Sequence, residues 1–300
     1  MTTAKIPISN PTNKIDAHSH AFAHEKNSPM KARENVAKAY AVGLGTYYLM
    51  DHFTFPIGFD DPTPFKTDSI SQEKYVKLQK VQQQLKFEYQ GGLDVFLGAE
   101  VDYLPKFVNE TKTLLAKFPF DYVTGSVHYI GKYTNSKGEK MTLNIDSTHS
   151  WDNILKAFDT AKFFVITYYE YLQKMVKSNL FDNCSHLDLP KKFNENNKYF
   201  NSQENWYQAI VQQTLNVIAQ SGMSIEINIS GKYKPCKEFY PSPEILSKAF
   251  RLGIPIIIGS DAHKPEDIGR DNDEAIAYAK TAGYTKICRY VQRTKEFLDI

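Results

Sequence analysis

Residues 254–263 read Ile254-Pro-Ile-Ile-Ile-Gly-Ser-Asp-Ala-His263, an apolar run that ends in two ionisable side chains. The apolar residues are continuous and do not alternate with polar ones, which is typical of a strand buried on both faces of a parallel sheet. The run is also short, rich in isoleucine and followed by a glycine, which favours a strand over a helix. We therefore predict a buried parallel strand with Asp261 and His263 at its carboxyl end.

Six further apolar runs have the same short, β-rich form. They lie near Lys14–Asp16 and Phe181–Ser185, and at Gly45–Met50, Val95–Ala99, Tyr122–Val127 and Ser224–Ile229. Between them, apolar residues recur at three- and four-residue spacings, which predicts helices. The predicted helices are Ala32–Val42, Gln72–Tyr89, Trp151–Val176, Asn205–Gln220, a helix that begins at Pro243 with Ser242 as its N-cap, Glu266–Ala279 and Gln292–Leu298. The stretches Thr54–Pro64 and Lys191–Ser202 are predicted to be long loops.

The alternation of strands and helices determines the predicted architecture. Strand–helix–strand units with parallel strands are right-handed and build α/β folds. About seven such units in a chain of 300 residues favour a TIM-like barrel over an open sheet, because these barrels run to about 250 residues. No internal repeat, low-complexity tract or linker divides the sequence. We therefore predict a single domain over residues 1–300.

The composition excludes several classes of protein. Hydrophobic residues make up 42% of the chain and charged residues 23%, which is ordinary for a globular domain. The net charge is +2, from 36 basic and 34 acidic residues, so we expect neither a nucleic-acid partner nor a membrane surface. No apolar stretch approaches the roughly 18 residues of a membrane span, and the amino terminus lacks an apolar signal core. Three distant cysteines form no disulfide framework, and we expect a cytoplasmic location.

The first predicted strand is followed by a pair of histidines, His18 and His20, with one residue between them. In an extended segment, side chains two residues apart point to the same side, so both imidazoles can reach one metal ion. The other predicted strands end in similar side chains. They are His52, Glu100, His128, His186, and the Asp261 and His263 pair. The carboxyl ends of barrel strands converge on one mouth, where the active site lies.

Imidazoles and carboxylates gathered in this way need a positive charge between them. Imidazole suits zinc, iron and manganese, and a carboxylate can bridge two ions. One ion takes about four ligands, so this set is too large for a single site. We therefore predict two or three divalent ions, which would be zinc, manganese or iron.

Some residues near these strands keep two interpretations. Asp102 and Asp188 could each orient a ligand through a hydrogen bond or simply cap a loop. Glu226 could belong to a network at the end of its strand without a metal, or it and Asp188 could bind a cationic group of a substrate. Lys232 and Lys234 could be solvated loop charges or could bind the phosphate of an anionic substrate. The motifs of phosphate-binding loops, dinucleotide folds and serine-hydrolase elbows do not occur in the sequence.

Eight segments together resemble the PHP (polymerase and histidinol phosphatase) superfamily, and in particular its histidinol-phosphatase branch. They occur in family order over about residues 14–270: Asp16-Ala-His-Ser-His20, Met50-Asp-His52, Gly98-Ala-Glu-Val-Asp-Tyr103, Gly125-Ser-Val-His128, His186-Leu-Asp-Leu189, Glu226-Ile-Asn-Ile-Ser-Gly231, Pro241-Ser242 and Gly259-Ser-Asp-Ala-His263. The first and last mark the superfamily. The segments that begin at Gly98, His186 and Glu226 resemble the histidinol-phosphatase branch.

This resemblance implies a distorted (β/α)7 barrel with a trinuclear metal centre. By position, the first ion would be held by His18, His20, Glu100 and Asp261. Glu100 would bridge to a second ion, which His128 and His186 would also bind. The third ion would take His52, His263 and a histidine from the loop after the first pair, for which His24 is the candidate.

The resemblance also implies an activity, which is hydrolysis of L-histidinol phosphate to L-histidinol and phosphate in histidine biosynthesis. A metal-bridging hydroxide would attack phosphorus, with Asp261, Glu100 and His128 as the catalytic residues. Two other functions stay open on the sequence alone. The chain could be another phosphoesterase or an exonuclease of the superfamily, although it lacks a basic stripe for nucleic acid. It could also be a metal-stabilised domain without catalytic activity.

Overall fold

The computed structural model describes residues 12–21, 28–63, 68–146 and 150–300. In the described residues the strands are β1 (Ile15–Asp16), β2 (Thr46–Leu49), β3 (Asp94–Asp102), β4 (Tyr122–Ser126), β5 (Tyr129–Thr134), β6 (Lys140–Asn144), β7 (Asn183–Cys184), β8 (Ser224–Asn228), β9 (Ile256–Gly259), β10 (Lys286–Val291) and β11 (Thr294–Asp299). The helices are α1 (Ser28–Ala41), α2 (Gln72–Glu88), α3 (Val108–Leu115), α4 (Ser150–Phe158), α5 (Ala161–Lys177), α6 (Asn205–Ser221), α7 (Pro243–Arg251) and α8 (Asn272–Thr281).

Seven parallel strands form a nearly closed barrel. Their order in the sheet is β1-β2-β3-β4-β7-β8-β9, which is also their order along the chain. The first and last strands meet, because the backbone N–H of Ala17 donates to the carbonyl of Ile258 at 2.9 Å. Past the strand ends, the N–H of Asp261 donates to the carbonyl of His18 at 2.8 Å. The predicted TIM-like α/β barrel is confirmed.

All seven predicted barrel strands are present, and they are buried as the continuous apolar runs predicted. Ile256, Ile257 and Ile258 of β9 have no exposed surface. β3 is longer than its apolar run, so Glu100 lies inside the strand, where it pairs with Thr124 of β4. The strand fixes the backbone of Glu100 in the wall of the barrel, and its side chain extends toward the mouth.

The predicted helix at Gln292–Leu298 is wrong, since this segment forms an antiparallel hairpin of β10 and β11. The two turn residues, Gln292 and Arg293, have φ values of 49° and 63°, which turns the chain back within two residues. Tyr290 in this hairpin reaches the amino ends of the barrel strands. Its hydroxyl donates to the carbonyl of Asp182 at 2.8 Å, and its backbone N–H donates to the Tyr48 hydroxyl at 2.6 Å. The hairpin therefore covers the end of the barrel opposite the strands' carboxyl ends.

Other boundaries also differ from prediction. The predicted helix Trp151–Val176 is two helices, α4 and α5, because Asp159 has a φ of 60° and Thr160 caps α5 by accepting from the N–H of Phe163. The segment predicted as the helix Glu266–Ala279 begins with a 3₁₀ turn at Pro265–Asp267 and becomes α-helical only at Asn272. Ser242 is the N-cap position of α7, but its side chain makes no capping bond. The loop predicted at Lys191–Ser202 contains 3₁₀ turns at Leu189–Phe193 and Glu195–Asn197.

Besides β10, two elements were not predicted at all. The helix α3 follows β3, and the hairpin of β5 and β6 follows β4 beside the barrel mouth. Among the described residues, no helix has the length and apolar character needed to cross a membrane.

Candidate metal centre

The predicted ligands come together at the carboxyl ends of the barrel strands. His18 and His20 follow β1, His52 follows β2, Glu100 lies in β3, His128 follows β4, His186 follows β7, and Asp261 and His263 follow β9. His24, the remaining predicted ligand, lies outside the described residues. Two of these residues have unusual backbones, since φ is 54° at Asp261 and 24° at His186. Such conformations in non-glycine residues are costly and occur often at functional sites, where the surrounding structure holds them.

The first group of donors contains His18, His20, Glu100 and Asp261. His20 Nε2 lies 3.1 Å from Asp261 Oδ1 and 3.7 Å from Glu100 Oε2. His18 Nε2 lies 3.3 Å from Glu100 Oε2 and 3.8 Å from Asp261 Oδ1. Two imidazole nitrogens and two carboxylate oxygens thus face one another at distances that one cation between them could bridge.

The second group is built on the other oxygen of Glu100. Its Oε1 lies 3.2 Å from His186 Nε2 and 3.7 Å from His128 Nε2. The two histidine nitrogens are 3.1 Å apart. Because Oε2 faces the first group and Oε1 the second, Glu100 is placed to bridge two ions.

The third group contains His52 and His263, together with His20, whose ligand atoms lie within 4.8 Å of one another. The rings of His20 and His263 stack with centroids 4.1 Å apart. His52 Nδ1 is also 2.8 Å from Glu100 Oε2, which connects this group to the first. The three histidines form a cluster that adjoins the Glu100 bridge.

Buried polar atoms without a hydrogen bond indicate that these residues fit metal ions. Among the described residues, His18 Nε2 and Glu100 Oε2 are buried and form no hydrogen bond, although they lie 3.3 Å apart and His52 Nδ1 lies 2.8 Å from Glu100 Oε2. Buried polar atoms in folded proteins are almost always hydrogen-bonded, because leaving one unpaired costs about 1–3 kcal/mol. A divalent cation would bind both atoms, and the donors are the nitrogen and oxygen types that zinc, manganese and iron accept.

The charges of the groups lead to the same conclusion. Burial by itself lowers the pKa of His128, but Asp102 and Glu100 outweigh burial and raise it to about 10. Burial likewise opposes the charge of His20, but Asp261 and Asp51 raise its pKa to about 9. Burial raises the pKa of Glu100, yet His18 and His52 hold it well below its usual range. The carboxylates therefore require positive charge here, which protons supply on the imidazoles or which bound cations would supply in their place.

Two carboxylates orient histidines by contacting the ring nitrogen that faces away from the centre. Glu226 Oε1 lies 2.8 Å from His18 Nδ1, and its Oε2 accepts from the N–H of His186 at 3.0 Å. Asp102 Oδ1 lies 2.9 Å from His128 Nδ1. In both pairs the carboxylate binds Nδ1, so Nε2 is left to face the centre. A Cβ at Gly259 would lie only 2.2 Å from Glu226 Oε1, which explains why the strand β9 ends in glycine.

A cavity of about 640 Å³, counting its open mouth, lies over the three groups. Besides the ligand candidates, its lining includes Asp68, Tyr129, Asn144, Asp146, Lys234 and Tyr240. Except for Lys234, these residues were missed by sequence reasoning. They lie in the loop after β2, in the β5–β6 hairpin and at later turns, and no motif or strand end marks them.

Of the four predicted substrate-binding residues, only Lys234 lines this cavity. The prediction for Glu226 is corrected, because it is fully buried and its oxygens bind His18, His186 and Asn228. The prediction for Asp188 is corrected too, because its Oδ2 accepts from the N–H of Ser242 at 2.9 Å and pairs with Lys191 at 3.1 Å.

Lys232 also lies away from the cavity lining. Its ammonium group pairs with Asp271 at 3.0 Å and with Glu274, so it is a loop charge engaged with other loop charges. Of the two interpretations of Lys232, these contacts favour the loop charge over the substrate contact.

Comparisons with known proteins identify the family of this chain. The PHP domain model matches residues 16–230. The chain is 31% identical over 274 residues to a Deinococcus radiodurans protein named "Probable histidinol-phosphatase", covering 91% of this chain and 95% of that protein. It is 27% identical to the histidinol-phosphatase of Bacillus subtilis, covering 85% of this chain and 96% of that protein.

Solved structures show the same fold. A crystal structure from Listeria monocytogenes matches with a TM-score of 0.74 at 22% identity, covering 87% of this chain and 99% of that one. A histidinol phosphate phosphatase from Lactococcus lactis, complexed with zinc, L-histidinol and phosphate, matches with a TM-score of 0.69 at 22% identity, covering 95% of this chain and 99% of that one.

Proposed function

The chain belongs to the PHP domain family, and on that premise we propose that it hydrolyses L-histidinol phosphate to L-histidinol and phosphate with divalent metal ions. The observation that carries the proposal is the meeting of buried imidazoles and carboxylates at Glu100, where His18 Nε2 and Glu100 Oε2 form no hydrogen bond within the described residues. Relatives aligned over 85–91% of the chain have the same activity in their names. The enzyme is a phosphoric monoester hydrolase, and the reaction belongs to histidine biosynthesis.

The ions would be zinc, manganese or iron, and the ligand set is the one the three groups supply. His18, His20, Glu100 and Asp261 would hold the first ion, and Glu100, His128 and His186 the second. His52 and His263 would hold the third, with His24 as the proposed further ligand. When bound, such ions lower the pKa of water to about 7 and neutralise charge on phosphoryl oxygens.

In this proposal Asp261 orients the attacking water. Its Oδ1 faces His20, while its Oδ2 accepts from the Ser230 hydroxyl at 3.0 Å and from the Asn228 amide at 3.3 Å. These bonds fix the carboxylate plane at the floor of the cavity, and the side chain is 16% exposed there. A carboxylate held in this way can accept a proton from a water aligned for attack on phosphorus.

Glu100, His128 and Lys234 are the other residues that we propose to act on the ions or the substrate. The Ser126 hydroxyl donates to Glu100 Oε1 at 2.5 Å, which holds the bridging carboxylate in place. His128, fixed by Asp102, completes the proposed catalytic set at the same wall of the cavity. Lys234, on the cavity lining, would bind a phosphoryl oxygen of the substrate.

The proposal also covers the domain organisation, the class of substrate and the location of the protein. We assign residues 1–300 to one PHP-type phosphatase domain, with a small-molecule phosphomonoester as substrate and a cytoplasmic location. The near balance of 36 basic and 34 acidic residues supports a small substrate over nucleic acid.

The test is phosphate release by the metal-loaded protein from L-histidinol phosphate, compared with nucleoside monophosphates. We expect L-histidinol phosphate to have the highest kcat/KM, and metal analysis to give two or three ions per chain. His18→Ala and Asp261→Asn should each abolish turnover while thermal unfolding stays cooperative. Full activity in either variant would overturn the site assignment. Bound metal without turnover of any ester would mean that the domain is structural, and a preference for nucleotides would indicate another phosphoesterase.

A further inference from the structure

The cavity over the metal centre is lined by five carboxylates, and their partners differ. Glu100 and Asp261 face the histidines of the centre. Asp102 lies 2.9 Å from His128, and Asp146 pairs with the ammonium group of Lys192. Each of these four carboxylates therefore already has a basic neighbour in contact.

Asp68 is the fifth carboxylate, and its environment is different. Its Oδ2 accepts hydrogen bonds from the Tyr129 hydroxyl at 3.0 Å and from the Asn144 amide at 2.9 Å. Both donors are neutral and belong to the β5–β6 hairpin, so the hairpin aims this carboxylate. Within the described parts of the chain, Asp68 forms no ion pair with a lysine, arginine or histidine.

The surroundings of Asp68 suit an organic cation. Burial raises the pKa of Asp68, which is the direction expected of a carboxylate without a cationic partner in contact. The Tyr129 ring packs edge-on against Phe55 and Phe59, with centroids 5.5 and 5.2 Å away. Tyr129 therefore lies beside the negative charge of Asp68, on the cavity that Lys234 also lines.

We propose that Asp68 is a specificity-determining residue that binds the protonated amine of the substrate, an inference that rests on the proposed function. L-Histidinol phosphate has a phosphate at one end and an ammonium group a few bonds away. With the phosphate at the metal centre and Lys234, the amine needs a carboxylate on the same cavity. Asp68 takes the role that the sequence assigned to Glu226 or Asp188, neither of which lines this cavity.

The test uses Asp68→Asn, since an asparagine oxygen can still accept from Tyr129 and Asn144 while the charge is lost. The metal-loaded variant is assayed with L-histidinol phosphate and with 4-nitrophenyl phosphate, which has no cationic group. We expect kcat/KM for L-histidinol phosphate to fall roughly ten- to hundredfold, because a hydrogen bond to a charged group is lost. Turnover of 4-nitrophenyl phosphate should stay within about twofold, which also shows that the variant is folded.

A binding measurement supports the kinetic one. L-Histidinol contains the amine without the phosphate, so its inhibition constant against 4-nitrophenyl phosphate should rise by the same factor in Asp68→Asn. Inhibition by inorganic phosphate should not change. The matched control is Asp60→Asn, which removes an exposed carboxylate of the same loop and should affect neither inhibitor.

The outcomes separate this inference from the proposed function. Equal losses for both esters, or no loss for either, would overturn the role of Asp68 while leaving the phosphatase intact. Absence of turnover of L-histidinol phosphate by the unmodified, metal-loaded enzyme would instead overturn the proposed function. Should Asp68→Asn unfold, Asp68→Ser is assayed in the same way, with the same two results expected.

Discussion

At the scale of single residues, Glu226 acts on the metal centre without facing the cavity. It has no exposed surface, and its two oxygens contact His18 Nδ1 and the backbone N–H of His186. One buried side chain therefore positions a histidine of the first group and the backbone of a histidine of the second. Carboxylates in this position commonly contribute ten- to hundredfold to metal affinity or activity.

We predict that Glu226→Gln lowers turnover of L-histidinol phosphate and metal affinity by about ten- to hundredfold. The amide keeps the size of the side chain but presents less negative charge to His18, so the ring is a weaker ligand. Metal content after dialysis and kcat/KM measure the effect. Glu266→Gln, at an exposed position, is the control and should change neither. Unaltered metal content and turnover in Glu226→Gln would contradict the orienting role.

Single residues of the site differ in how well the sequence predicts their position. The meeting of the described ligand candidates at one mouth was predictable because they stand at or just past the ends of apolar runs. Asp68 and Tyr129 were not predictable as cavity residues, because a loop and a hairpin bring them there through tertiary contacts. Glu226 kept two interpretations for a related reason. A carboxylate at a strand end can face the mouth or a neighbouring ligand, and only the packing against Gly259 and His18 decides between them.

At the scale of elements, the hairpin of β10 and β11 closes the barrel end far from the chemistry. Its turn escaped prediction because Gln292 and Arg293 are not typical residues for left-handed backbone. Long-range bonds hold the turn instead. The N–H groups of Gln292 and Arg293 donate to Asp121, and the Arg293 guanidinium pairs with Asp182 at 2.9 Å. By contrast, the barrel strands were predictable because burial on both faces leaves a continuous apolar run.

We predict that Tyr290→Phe lowers the free energy of unfolding by about 1–2 kcal/mol and leaves kcat unchanged. The substitution removes the hydroxyl that donates to Asp182 and lies 3.0 Å from the Ser224 hydroxyl. Urea unfolding measures the change in stability, and steady-state kinetics measure kcat. Tyr133→Phe, in the β5–β6 hairpin, serves as the control and should be neutral. A loss of kcat in Tyr290→Phe would show that the two ends of the barrel are coupled.

At the scale of the whole molecule, the candidate metal centre takes its ligands from most of the barrel strands, so its buried charged side chains connect these strands to one another. A ligand that binds only the folded state stabilises it by about 2.7 kcal/mol at a hundredfold excess over its dissociation constant. Buried ligand atoms without hydrogen bonds in the described residues should therefore make the fold itself dependent on the ions, beyond the effect on activity.

We predict that chelation with EDTA abolishes turnover and lowers the melting temperature by several degrees. Adding back zinc or manganese should restore both. Differential scanning fluorimetry and phosphate release measure the two effects on the same samples. Magnesium, which prefers oxygen ligands and keeps its waters, should restore them poorly. An unchanged melting temperature on removal of all metal would contradict a cation between the buried ligands.

The meeting of the first and last barrel strands has a consequence for how the protein is made. His20 and Asp261 are 3.1 Å apart in space but 241 residues apart in sequence. At a synthesis rate of about 5–20 residues per second, the amino-terminal histidines leave the ribosome roughly 10–50 s before their acidic partner. Through most of translation, the nascent chain thus holds only part of its coordination sphere, and the final ion-binding geometry forms after the last βα unit has emerged.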